Sequence, residues 1–280
     1  MLRVLLPTDF SDNSLNAINY ALTLFKDTEC SFYLLHTYTP AIYRAEYVLH
    51  SPAQYGLGDM YQTTSETRLE QFQHKINKDF PNPNHSFSSH TAFNTLVEEV
   101  NDFVDYHNID LIVMGTQGAT GAKEIFIGTH TVHVIKRARV PVLAIPPDFA
   151  YEQPKEILFP TDYEVNFKKD PLRLLLYIAK EHLSSIEVLH ASYGYDLSDQ
   201  QLKNKAKLDK ILKKTAHLFH DWSNQEVIEA INRFQLKHKT QMLVMIQNKH
   251  TFVERLFIEP IIKKISFHIS IPFMVIPHFK

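Results

Sequence analysis

The sequence predicts a parallel α/β fold built twice along one chain, and three observations carry that prediction. Short apolar runs alternate with segments of helical periodicity, the pattern of a sheet whose strands are joined by crossover helices. The apolar runs are continuous, as in Leu111-Ile112-Val113, which suits strands buried on both faces. The pattern then restarts: Leu5-Leu6-Pro7-Thr8-Asp9 returns as Leu158-Phe159-Pro160-Thr161-Asp162.

Residues 2–6 form a first strand that exits at Pro7-Thr8-Asp9. Ser11 or Asp12 can cap the helix that follows, where Leu15, Ile18, Ala21, Leu22 and Phe25 recur at helical spacing. Residues 31–36 are a second strand. From Thr37 to about Ser65 the rhythm breaks, with Pro40, Pro52, Gly56 and Gly58 set among tyrosines such as Tyr38, Tyr43, Tyr47, Tyr55 and Tyr61. So long a connection is usually functional, and a lid, an aromatic interface or a plain cover for the sheet edge all suit it. A polar helix over residues 66–78 and a weak third strand over 86–90 come next. Leu96, Val97, Val100, Phe103 and Val104 mark another helix, which leads into the strand ending at Gly115. A further helix runs through Val132, Val134 and Ile135 to about Arg139, and a last strand is held between Pro141 and Pro146.

After this the elements repeat. Leu35-His36 recurs as Leu189-His190. From Phe87 onward a constant shift carries Glu98 to Glu229, Phe103 to Phe234, His107 to His238, Met114 to Met245 and Pro141 to Pro272. A gapless match over roughly sixty residues, with strand and helix periods in phase, indicates a duplicated domain. The expected domains are residues 1–147 and 154–280, divided where prolines and polar residues interrupt the periodicity.

Composition removes several classes of function. With 44% hydrophobic and 21% charged residues the chain suits a globular protein with real cores, and its net charge of -2 gives no electrostatic case for nucleic acid. The basic run from Lys203 to Lys214 is expected to be the solvated face of a helix. No apolar run reaches the roughly 18 residues a membrane span requires, and residues 1–6 are too short before Pro7 for a signal peptide. The single cysteine, Cys30, rules out an intrachain disulfide and is expected to be a small core residue. These features point to a cytoplasmic protein.

The chemistry concentrates at Met114-Gly115-Thr116-Gln117-Gly118, followed by Gly128-Thr129 at the start of a helix. The whole chain has 7 glycines, so three placed here are unlikely to be filler. Glycine lets backbone approach a phosphate, and the first free N–H groups of a helix point at the bound charge. In an open parallel sheet, ligands bind beyond the strand C-termini where the strand order reverses. If the first and fourth strands are neighbours, Asp9 and Gly115 stand on the two lips of that crevice. Asp9 then suits hydrogen bonds from a base or ribose, or a share in a divalent cation, while helix capping is the structural alternative.

Gly115-x2-Gly118-x9-Gly128-Thr129 resembles the ATP-binding signature of the universal stress protein family. The Pro7-Thr8-Asp9 opening and the closing Pro141-Val142-Leu143-Ala144-Ile145 resemble it too, so both halves together resemble a tandem universal stress protein. The resemblance implies an adenine nucleotide alpha hydrolase-like fold, with each five-stranded parallel sheet in the order 3-2-1-4-5. It implies ATP as the ligand, with Mg2+ as an open accompaniment. Asp9 and the residues near Thr37 would face adenine and ribose, Gly115 would pass close to the ribose, and Pro7, Thr8 and Met114 would belong to the same nucleotide site. Gly118, Gly128, Thr129 and the amides of His130 and Thr131 would hold phosphates. His130 departs from the family, where an aliphatic residue is usual. The resemblance also implies pairing through the fifth strands, here Val142–Ile145 with Phe273–Ile276, as an internal pseudo-dimer, with a further homodimer left open.

The second copy is expected not to bind in this way. Gly115 maps to Ile246, Gly118 to Lys249, Gly128 to Glu259 and Thr129 to Pro260. These changes add side chains at the close approach, place a negative charge where phosphate would lie and remove an N–H donor. No motif for a nucleoside-triphosphate P-loop, a zinc protease or a serine hydrolase is present. Among 16 histidines, the pairs His130/His133 and His217/His220 lack a third ligand at metal-binding spacing and are expected to be surface or strand histidines. Three functions stay open: an ATP-responsive stress or signalling module, a nucleotide-independent interaction protein, and a slow ATP hydrolase or nucleotidyl-transfer enzyme.

Overall fold

The structure is a computed structural model that describes residues 1–38, 57–116, 128–192, 194, 196–247 and 270–277. Gly118, Lys249, Glu259, Pro260, Tyr43, Tyr47 and Tyr55 lie outside the described residues. The first half runs β1 (Leu2–Pro7), α1 (Asp12–Leu24), β2 (Cys30–Thr37), α2 (Leu57–Asp79), β3 (His85–Ala92), α3 (Leu96–His107), β4 (Leu111–Gly115), α4 (Thr129–Arg137) and β5 (Val142–Ile145). The second runs β6 (Glu156–Pro160), α5 (Arg173–Glu181), β7 (Ser185–Ser192), α6 (Asp199–Leu212), β8 (His217–Ser223), α7 (Val227–Lys237), β9 (Met242–Ile246) and β10 (Phe273–Ile276). Contacts divide the chain into two compact units, the first ending at Val142 and the second opening at Leu143.

In the first half the strand order is β3-β2-β1-β4-β5, and in the second β10-β9-β6-β7-β8. Counted from its own first strand, each half therefore has the order 3-2-1-4-5, with β1 and β6 between the strands that start the two directions of winding. Within the first unit β1 runs parallel to both β2 and β4, pairing Leu5 with Tyr33 on one side and Ile112 on the other. In the second unit β6 pairs in parallel with β7 and β9. Val4, Leu5, Leu6, Phe32, Leu34, Leu111, Ile112 and Val113 are all fully buried, which explains why these strands appear in the sequence as unbroken apolar runs.

Two helix starts differ from expectation. Helix α2 begins at Leu57, well inside the stretch that reads as irregular. Its first turns carry glycine, threonines and few apolar residues, and Leu69 and Ile76 are its buried apolar anchors, so periodicity gives little sign of it. In the second half α5 starts only at Arg173, whereas its counterpart α1 starts directly after the Asp9 turn, at Asp12. Val165, Phe167 and Leu172 instead fill the core from a non-helical segment. The duplication thus kept its strands but unwound the start of one helix.

The basic run lies on α6, a helix opened by a capping box between Ser198 and Gln201. Lys203, Lys207, Lys210 and Lys214 are exposed, as a solvated helix face requires. Cys30 is buried at the start of β2, and burial pushes its thiol up to about 12. No helix of the described residues is long and apolar enough to cross a membrane.

Candidate functional site

The site begins with the turn that leaves β1. Thr8 N–H donates to the Leu35 carbonyl of β2 (2.8 Å), and the Thr8 hydroxyl accepts from Phe10 N–H (3.0 Å). The same hydroxyl lies 2.9 Å from the Ser14 hydroxyl, which ties the first turn of α1 to the end of β1. Phe10 takes φ 63, a left-handed conformation that is uncommon for a bulky residue and stores backbone strain of about 1–3 kcal/mol. Asp9 is exposed, and its Oδ1 accepts from the backbone N–H of Ser11 (3.1 Å) and from the Ser11 hydroxyl (2.5 Å). Ser11 in turn is the N-cap of α1 and accepts from Ser14 N–H. Asp9 therefore serves the turn as well as facing solvent at the strand ends.

The other lip is β4 with α4. The β1–β4 register places Leu5 beside Ile112, so the Thr8 and Gly115 ends reach the same level of the sheet on adjacent strands. Gly128 N–H donates to the Thr116 carbonyl (2.5 Å), and the buried Thr131 hydroxyl donates to the Gly115 carbonyl (2.8 Å). These two bonds draw the N-terminus of α4 onto the end of β4. Gly128 is the N-cap of α4 and offers no side chain to it, the first turn contains no acid, and Lys136 and Arg137 occupy the last turn. The first N–H groups of a helix have no acceptor within it, and they carry roughly half a positive charge between them. Thr129 and His130 are exposed beside those groups, so this end of α4 is built to receive an anion.

Gly115 has a structural neighbour that the sequence conceals. A Cβ added there would lie 2.3 Å from Nδ2 and 2.8 Å from Cγ of Asn13, and 3.1 Å from the Asn13 backbone oxygen. The first turn of α1 thus occupies the space beside Gly115. In the second half that turn is unwound and Asn166, the counterpart of Asn13, is exposed and accepts from Lys207 Nζ (2.7 Å). Ile246 thus stands in a half where no helix turn corresponds to the one beside Gly115. Gly115 therefore has a packing reason of its own within the first half. Asn13 accounts for Gly115 without a ligand, whereas Gly128 has backbone angles open to any residue, φ -59 and ψ 153.

Of the remaining candidates, Pro7 and Met114 are buried at their strand ends, and Thr37 closes β2 in register with Ala92. Thr131 spends its buried hydroxyl on the Gly115 carbonyl, which leaves its backbone N–H as the group it can offer a ligand. His130 and His133 are both exposed on α4. His217 and His220 each meet a separate carboxylate: Nε2 of His217 lies 3.1 Å from Asp209 Oδ1, and Nε2 of His220 lies 2.7 Å from Glu187 Oε2. Those pairings link helix to strand and strand to strand, which sequence spacing does not show. Among the described residues no group of three or more His, Cys, Asp or Glu is placed to hold a metal ion.

The turn after β6 copies the first one closely. Thr161 N–H donates to Leu189 O (2.9 Å), the Thr161 hydroxyl accepts from Tyr163 N–H (3.1 Å), and Tyr163 has φ 57. Asp162 Oδ1 accepts from Glu164 N–H (3.0 Å). The Pro-Thr-Asp opening therefore persists in both halves because the turn itself uses it. Arg68 lies over the Phe10 ring at 4.4 Å, and Lys205 lies over the Tyr163 ring at 5.5 Å, so even the covering cation is duplicated. Tyr163 differs from Phe10 by a hydroxyl that is buried with no hydrogen-bond partner among the described residues, and burial pushes that phenol well above its ordinary value. Tyr163→Phe is expected to raise stability by about 1 kcal/mol in urea unfolding, since an unsatisfied buried hydroxyl costs roughly 1–3 kcal/mol. A loss of that size would instead show that the hydroxyl has a partner.

Fold and site together define an open parallel α/β domain, with a helix N-terminus that has no side-chain cap beside its topological switch point. The chain belongs to the universal stress protein family, whose family model matches residues 1–146. A universal stress protein of Methanocaldococcus jannaschii is 27% identical over 146 residues, spanning 51% of this chain and 81% of that protein. The crystal structure of a universal stress protein from Archaeoglobus fulgidus matches with a TM-score of 0.69 at 18% identity, covering 99% of this chain and 96% of the other. A putative universal stress protein from Pseudomonas aeruginosa matches with a TM-score of 0.57 at 12% identity, covering 98% and 92%. At these identities the two structures speak for the fold alone.

Proposed function

We propose that the first half binds ATP in the crevice between the Asp9 turn and the N-terminus of α4, one nucleotide per chain. In this reading the bound nucleotide acts as a stress or signalling input. The observation that carries it is α4: an uncapped, acid-free helix end fastened to the end of β4 at Thr116 and Gly115. Fixed N–H donors at a strand-end crevice suit a phosphate chain, and the spacing Gly115, Gly118, Gly128, Thr129 supports the same assignment. Met114 and Gly115 would flank the ribose, with Asp9 and Thr37 toward the base. Gly118, Gly128, Thr129, His130 and Thr131 would hold phosphate through backbone, and Mg2+ would accompany the phosphates.

The second half, residues 154–280, serves as a degenerate supporting domain in a cytoplasmic protein. Its segment 161–172 is filled by Val165, Phe167 and Leu172, and Glu259 stands in the sequence where Gly128 would be. Pairing of Val142–Ile145 with Phe273–Ile276 is the proposed junction of the two halves. Calorimetric titration of the purified chain with ATP, alongside mass spectrometry of what co-purifies, tests the reading. About one site per chain is expected. No binding overturns the reading, two equivalent sites overturn the division of labour, and ADP that accumulates with time and is lost in Asp9→Ala makes the protein a slow hydrolase instead.

A further inference from the structure

We propose that His36 is a positioning residue for the nucleoside end of the site, acting through the Thr8–Asp9 turn. The inference rests on the reading that Asp9 meets the base and ribose. His36 follows Leu35 at the end of β2, and its Nδ1 lies 2.8 Å from the Thr8 carbonyl oxygen. A carbonyl only accepts, so Nδ1 carries the hydrogen and donates. The Thr8 peptide is therefore gripped twice by adjacent residues of one strand: its N–H by Leu35 O and its carbonyl by His36. The His36 ring also packs on Phe10, with centroids 4.5 Å apart, while Phe72 and Arg68 close over the other sides of that ring. Asp9 thus sits between two residues, Thr8 and the strained Phe10, that His36 holds in different ways. Burial lowers the His36 pKa from its ordinary value, with Arg68 adding to this and the Thr8 bond and Asp9 opposing it, while the bond to the Thr8 carbonyl defines the tautomer.

The duplicate shows that the turn does not need this latch to form. His190 stands at the equivalent place after Leu189, and the Thr161 and Tyr163 bonds of the turn are all present. Yet Nδ1 of His190 faces Asp221 Oδ1 at 3.4 Å, and that carboxylate is shared with Lys205 Nζ at 2.7 Å. The latch on the turn carbonyl belongs to the half that carries the glycine signature. A bond that the fold can dispense with, retained where the ligand is expected, is one that serves to aim Asp9.

The test uses the full chain, with ATP titrated directly and adenosine and inorganic tripolyphosphate measured by competition against it. His36→Ala is expected to weaken ATP and adenosine by a similar factor, about 10-fold for one lost hydrogen bond. Tripolyphosphate affinity should stay unchanged, because α4 is untouched. His36→Asn, whose side-chain N–H can replace Nδ1–H, should recover most of the loss. That variant also keeps the test valid if His36→Ala unfolds. A His36→Ala protein that binds ATP and adenosine like the wild type overturns the inference, as does an equal loss for tripolyphosphate. A wild-type chain that binds no ATP overturns the functional reading itself, and this one with it.

Discussion

Gly128→Asp is expected to remove ATP binding while leaving the fold as stable as before or slightly firmer. The N-cap of a helix is where aspartate is among the preferred residues, because its carboxylate accepts from the first-turn N–H groups and complements the helix dipole. Gly128 holds that position in α4, and its angles of φ -59 and ψ 153 admit any side chain. Replacing glycine by a good cap typically adds a few tenths of a kcal/mol to helix stability. The donors satisfied in this way are the ones the phosphates need, and the added charge repels them. A loss of at least about 100-fold in affinity is expected, equivalent to about 2.7 kcal/mol. Calorimetry with ATP and thermal unfolding of the same sample check both halves of the prediction. Retained affinity would show that α4 is not the phosphate end, and a joint fall in affinity and stability would make Gly128 a structural glycine.

The strands were legible because a parallel sheet buried on both faces leaves unbroken apolar runs, as in Val4-Leu5-Leu6 and Leu111-Ile112-Val113, whereas their order came only from the family resemblance. The start of α2 was hidden because its first turns hold too few apolar residues to mark a period. The site was legible only in part. Gly128-Thr129 is a local signal, a helix start with no side-chain cap, and the structure places it at a helix N-terminus on the end of β4. Asp9 and Gly115 each have a structural use beside any ligand that the sequence does not show. The Pro-Thr-Asp turn looks like a ligand motif, yet the second half keeps the same turn bonds without the glycines. Gly115 looks as if only a ligand could require it, yet Asn13 crowds it from about a hundred residues away in sequence. His36 was visible as a repeated residue, but its partner is a backbone carbonyl, which no sequence pattern records.

Gly115→Ala should therefore destabilise the first unit whether or not nucleotide is present. No left-handed angle is involved at Gly115, so the cost is steric rather than conformational. A Cβ would overlap the Asn13 amide at 2.3 Å and 2.8 Å and press on its backbone oxygen at 3.1 Å. The amide can rotate away, but the backbone oxygen belongs to the first turn of α1, which the Thr8–Ser14 contact holds against β1. Crowding of this kind in a packed region costs about 1–3 kcal/mol, and each kcal/mol lowers the melting temperature by roughly 2–4 °C in a domain of this size. Asn13→Ala in the same chain removes two of the three contacts and should return a good part of that loss. A double-mutant cycle on thermal or urea unfolding is expected to give a coupling of about 1 kcal/mol between the two positions. A stable Gly115→Ala chain that has lost only ATP binding would reverse the assignment and return Gly115 to the ligand. Measured beside Gly128→Asp, this pair separates the two glycines: the packing of α1 on β4 is expected to govern Gly115, and ligand binding at α4 to govern Gly128.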